Sequence, residues 1–328
     1  MVALAMMVVA APVGCGTSGP KRSVDARTEA VRFFSVNAPV IAVLRPQPWS
    51  AVLALNDAAG SNPAWMQMRT GVLGPLIAAG LSTPQLAKIL QSGQDVEGAE
   101  ATAIALGAPT PDDLAAGRAL LVLSTDQSDL LAGVLRGQAR AGKLKPAGKL
   151  DEASLYRGPG VAFAERDGVL ISAARLADVR TAIERRDGDT DLQLDEDVVN
   201  SLFNDLQTQG PLLVYANLAG VRDADPGMQQ LADQAPWTGK LGPTGATAYA
   251  EGGSVRIEDF SKTSGGSFTS SELPLGTTPS PFKIDSSGAA TLIPRPGPIR
   301  SLLTALAPIS GEATASSDEV RLHVTLGG

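Results

Sequence analysis

Short apolar blocks alternate with amphipathic runs along this chain, and most blocks stop at a Gly, Pro or Asp turn signal. Pro39-Val-Ile-Ala-Val-Leu44 is the first buried strand, ended by Arg45-Pro46-Gln47-Pro48. A helical region follows, in which Trp49, Val52, Leu53 and Leu55 and then Trp65, Met68, Val72, Leu73, Leu76 and Ile77 recur at helical spacing. Thr83-Pro84 pairs an N-cap with Pro at the first helical position and starts a helix on Leu86, Ile89 and Leu90, stopped at Gly93. Ala101 to Leu106 reads as a strand, Pro109 to Asp113 as a loop, and Arg118 to Ser124 as the clearest buried strand of the first half. Thr125 or Asp126 then caps a helix with Leu130, Leu131, Val134 and Leu135 on one face.

A meander comes next. Its strands are Ala153 to Tyr156, Val161 to Glu165 and Val169 to Ala173, turned at Arg157-Gly-Pro-Gly160 and at Asp167-Gly168. Asp-Gly between apolar runs is a strong hairpin signal, because both residues tolerate the positive φ of a tight turn. Leu176, Val179 and Ile183 mark a helix ending at Gly188, and Asp195 caps another with Val198, Val199, Leu202, Phe203 and Leu206, ending at Gly210. Pro211 to Leu218 is again a buried strand, followed by a predicted helix near Met228 to Ala235 and a hairpin of Thr244 to Glu251 with Ser254 to Phe260. Ser261 to Ser287 reads as loops with edge strands, Pro298 to Leu306 as a last helix, and Val320 to Leu326 as an alternating, half-buried strand.

The strands at Pro39, Ala119 and Pro211 each open a strand–helix–hairpin unit. Such units build an α+β fold: a largely antiparallel sheet, or sheets, with helices packed on one face. The order of elements from Leu120 to Leu218 resembles the bacterial envelope family catalogued as domain of unknown function 3352. Tyr156-Arg157-Gly158, the Asp167-Gly168 turn and Leu212-Leu-Val-Tyr215 lie in this run. The resemblance covers about a third of the chain and implies an extracytoplasmic protein, with no chemistry attached.

Val2 to Val13 is an apolar run of 12 residues, too short for a membrane span of about 20 and suited to a signal-peptide core. It ends at Gly14, before the only cysteine, Cys15. This resembles the bacterial lipoprotein signal, which implies cleavage between Gly14 and Cys15 and a lipid on the Cys15 thiol. No Lys or Arg precedes the run, so translation is expected to start upstream of Met1. The expected organisation is residues 1–14 as signal peptide, 15–35 as lipidated Cys and flexible tether, and 36–328 as an extracytoplasmic region. Two subdomains within that region would meet near 207–211.

Composition narrows the functions. A net charge of −7 argues against a nucleic-acid partner, which needs a basic face. With 4% aromatic residues in a chain 44% hydrophobic, the core rests on Leu, Val, Ile and Ala. One His and one Cys exclude the usual zinc and iron–sulfur ligand sets, and no Gly-rich phosphate loop follows a strand, so no cofactor is expected. His323 lies on the polar side of its strand, and Gly-x-Ser-x-Gly is absent, which leaves a Ser-His-Asp triad without support. Ser18-Lys21 falls in the tether, and Ser280-Lys283 is broken by Pro281.

Two acidic sets remain. Asp187, Asp189, Asp191 and Asp195 have the alternate spacing of a calcium loop, but Leu192 stands where the loop needs Gly and Val198 where it needs Glu. The reading beside it is a solvated interhelical loop ending in the Asp195 cap. Glu152 and Glu165 are acids of the meander that a glycoside hydrolase could pair, though nothing selects them.

The expected function is that of a lipid-anchored envelope protein on the extracytoplasmic face of the cell membrane, with a non-catalytic binding or scaffolding role. Its partners would be the membrane, through the N-terminal lipid, and an envelope protein or lipophilic ligand. An alternative is a carrier of lipophilic molecules in a cavity between helices and sheet. A carboxylate-dependent hydrolase comes last.

Overall fold

The structure is a computed structural model. It describes residues 25–60, 62–91, 101–188, 193–208, 210–224, 229 and 240–263, with strand segments 282–284, 290–292, 309–315 and 319–326. The Gly93 stop, most of the helix near 228–235 and the helix at 298–306 lie outside the described residues.

The strands are β1 Val40–Leu44, β2 Thr102–Ala108, β3 Leu120–Thr125, β4 Lys145–Leu150, β5 Ala153–Gly158, β6 Val161–Arg166, β7 Val169–Ala173, β8 Leu212–Ala216, β9 Leu241–Glu251 and β10 Ser254–Thr263, with β11 Phe282–Ile284, β12 Ala290–Leu292, β13 Ile309–Ala315 and β14 Glu319–Leu326. Twelve of them form one sheet in the order β13-β14-β10-β9-β8-β1-β2-β3-β7-β6-β5-β4. Every pairing in it is antiparallel. The helices are α1 Ala26–Val31, α2 Trp49–Ala59, α3 Pro63–Ala78, α4 Thr83–Gln91, α5 Pro111–Ala115, α6 Ser128–Arg140, α7 Leu176–Asp187, α8 Glu196–Asn204 and α9 Leu218–Ala224. The fold is α+β on an antiparallel sheet, as the strand–helix–hairpin pattern predicts.

Helices cover both faces of the sheet, where the pattern led to an expectation of one. β3 is buried at all six positions. Leu120 and Val122 pack with α1, α7 and α8, while Leu121 and Leu123 pack with α3, α4 and α6. The four successive apolar residues of β3, Leu120 to Leu123, need cover on both sides, since alternate side chains point to opposite faces. A smaller cluster joins Leu55 of α2 and Trp65 of α3 to Val255 of β10.

Part of that cover comes from residues expected in the tether. Asp25 caps α1 through the Thr28 N–H at 3.2 Å, and Ala26, Ala30, Val31, Phe33 and Phe34 are buried in the core. Arg186 of α7 holds Glu29 at 3.0 Å, and Arg32 donates to Glu196 of α8. The segment 25–35 therefore belongs to the folded body. One continuous sheet also crosses the boundary expected near 207–211. Gln207 and Thr208 N–H groups donate to Glu258 of β10 at 2.6 and 3.0 Å, and the Gly210 N–H to Thr247 of β9 at 2.8 Å. α8 ends at Asn204, before Gly210, which instead packs so closely on β9 that a Cβ there would strike the Ala248 carbonyl.

Local departures have local causes. β4 is exposed at Lys145, Pro146, Gly148 and Lys149, the composition of a guarded edge strand, so no apolar alternation announces it. α5 replaces the loop expected at 109–113. Thr110 accepts from the Asp113 N–H at 3.2 Å, and Pro111 sits where a helix tolerates it. The N-cap of α6 is Gln127, without a side-chain cap, while Thr125 bonds to Thr102 at 3.0 Å. In the β6–β7 turn Asp167 and Gly168 have φ of 49° and 79°, and a Cβ on Gly168 would strike the Thr125 carbonyl.

Candidate functional site

α3 carries two stripes. Trp65, Val72 and Leu76 are buried, as its apolar periodicity predicts. Beside them Gln67, Gly71, Gly74 and Ala78, at i, i+4, i+7 and i+11, form a row in which only Gln67 has a long side chain. Pro75 adjoins this row inside the helix. Gly74 suits the position before it, because the Pro ring crowds a Cβ on the preceding residue when that residue is helical. With little side-chain volume along this row, α3 and the sheet leave a groove of about 590 Å3 between them.

The floor of the groove is the end of three strands: Leu106 of β2, Leu121 of β3 and Ser172 of β7. The β5–β6 turn, Pro159-Gly160, closes one end. Gly74, Ala78, Gly160 and Ala174 are exposed at the mouth, while Leu121 and Ser172 are buried. No lining residue is charged. Ile77, expected in the core by periodicity, is instead 54% exposed on α3, and Met66 is 44% exposed.

Ser172 is the polar exception on this floor. Its register neighbours are Leu121 and Phe163, and Leu170 precedes it on the same face. It is 2% exposed, and its Oγ has no hydrogen-bond partner among the described residues. A buried hydroxyl left so costs about 1–3 kcal/mol.

The residues singled out from the sequence do not converge on this groove. Gly14 and Cys15 lie outside the described residues, as do Asp189 and Asp191. Asp187 accepts from Arg166 and Arg186, at 2.5 and 3.0 Å, and Asp195 caps α8 through the Asp197 N–H at 2.8 Å. Both described ends of the acidic loop thus have structural partners. Among the described residues no group of three or more His, Cys, Asp or Glu could hold a metal. His323 of β14 stands in register between Glu258 of β10 and Glu312 of β13.

Glu165 and Arg166 follow each other on β6 and so point to opposite faces. Exposed Glu152 lies 3.9 Å from Arg166, on the side away from Glu165. Burial raises the Glu165 carboxyl above its ordinary value, against a hydrogen bond from the Gly168 backbone. The two acids are therefore not arranged as a pair across one cleft. Ser172 was not marked by any motif. The signal for the groove itself was the small-residue row of α3, which a count of apolar positions passes over.

No protein-family model matches the chain, and no curated protein matches it. Among solved structures, crystal forms III, I and IV of TP0453 are similar to it. Each superposes with a TM-score of 0.44, at 8%, 10% and 8% identity, over 91%, 93% and 93% of this chain and 94% of that chain.

Proposed function

We propose that this is a lipid-anchored extracytoplasmic envelope protein with a non-catalytic binding role, and that the groove under α3 takes a lipophilic molecule. The carrying observation is the uncharged, mostly apolar groove of about 590 Å3, within the ~300–1,000 Å3 range of small-molecule pockets. Each methylene moved from water into such a site contributes about 0.8 kcal/mol, so a short apolar chain suffices for binding. Among the described residues no helix is long and apolar enough to cross a membrane. The attachment expected at Cys15 would hold the body at the membrane surface.

Native mass spectrometry of the protein purified from its membranes tests the groove. The expected result is a lipophilic molecule bound at near one-to-one ratio; protein that is uniformly empty would count against the reading. The anchor is tested separately. Cys15→Ala is expected to move the protein out of the membrane fraction, and a mature N-terminus without lipid would refute the attachment.

Contact with an envelope protein is the second reading, favoured by exposed Met66 and Ile77 on α3. Double substitution of these two by Ser would abolish such a contact while leaving a groove-bound ligand in place.

A further inference from the structure

We propose that the groove selects an uncharged, single-chain amphiphile whose alcohol or ester oxygen hydrogen-bonds to Ser172 Oγ. This rests on the groove being the binding site. Three observations define the ligand. Ser172 is 2% exposed, lines the groove and has an Oγ without a partner among the described residues, in a row otherwise made of Leu121, Phe163 and Leu170. A serine hydroxyl both donates and accepts, so one neutral oxygen satisfies it.

The second observation is the absence of Lys, Arg, Asp and Glu from the lining. A carboxylate or phosphate head would enter without a counter-charge, and an unpaired buried charge is far costlier than a neutral oxygen. Fatty acids and phospholipid heads are thereby disfavoured. The third is shape. The small-residue row runs from Gln67 to Ala78, about 16 Å of helix at 1.5 Å per residue. A groove of about 590 Å3 along that length suits one extended chain.

The test uses the full chain carrying Cys15→Ala, so that no acyl group of its own competes. Nile red is bound to it and displaced by 1-dodecanol, dodecane or dodecanoate. In this background 1-dodecanol is expected to compete about tenfold more tightly than dodecane, the difference one buried hydrogen bond makes. Dodecanoate is expected to be weaker than 1-dodecanol. Adding Ser172→Ala should erase the preference for the alcohol while leaving dodecane displacement and the melting temperature at least as high.

Equal competition by 1-dodecanol and dodecane would overturn the proposal, as would a preference that survives Ser172→Ala or a stronger effect of dodecanoate. In each of those outcomes the groove itself still binds. Ala78→Phe, at the exposed mouth, is expected to weaken Nile red at least fivefold. Nile red that fails to bind, or binds Ala78→Phe unchanged, would instead refute the groove as the site.

Discussion

Asp259 of β10 shows how one half-buried group shapes the pH response of the fold. Burial pushes its carboxyl up to about 7, against a hydrogen bond with Ser261 that lowers it. The unfolded chain, with an ordinary Asp near ~3.9, loses that proton earlier. Between these values the folded state binds more protons than the unfolded one, so stability is highest at low pH and falls as pH rises, by at most ~1.4 kcal/mol per unit. Thermal melts at pH 5 and pH 8 check this: Asp259→Asn should be more stable than the parent at pH 8 and shrink the difference between the two conditions. A second residue-scale test concerns the ion pairs of α1. The Glu29 side chain is 9% exposed and bonds to Arg186; Arg186→Ala leaves it with Arg32 at 3.8 Å. A loss of about 1–3 kcal/mol is expected in a urea titration, since a buried carboxylate would lose its main partner.

At the scale of elements, α3 trades helix stability for space. Pro75 has no N–H for the Gly71 carbonyl, and Gly71 and Gly74 are poor helix formers. Pro75→Ala is expected to raise stability by about 1–3 kcal/mol, read as a higher melting temperature, because it restores that donor. Elements defined by contiguous signals were legible in the sequence. β1, β3, β8, the Asp167-Gly168 turn and the β9–β10 hairpin all stand where apolar blocks and turn residues put them. β4 was not legible, because an edge strand needs no buried face to form. α1 was not either: its six residues are short for an isolated helix, and it persists through packing against β2 and β3 and its ion pairs to α7 and α8.

Across the whole molecule, the sheet has a dry centre and a wet edge, which predicts its order of opening. Hydrogen exchange should be slowest for the amides of β3, buried throughout, and fastest among β4 to β7 for β4, exposed at the sheet end and, among the described residues, paired to β5 alone. Comparable protection of β3 and β4 would contradict this order. By itself the sequence determined the places of β1, β3, β8 and the two hairpin turns, the α+β class and the expectation of an anchor at Cys15, all of which depend on neighbours along the chain. Only the tertiary structure decided that helices cover both faces, that residues 25–35 join the core and that β4 guards the edge. It alone placed the small-residue row of α3 above Ser172. Those outcomes depend on which residues meet across long sequence separations: Gly74 and Ser172 are ordinary residues until the fold sets them on facing walls of one groove.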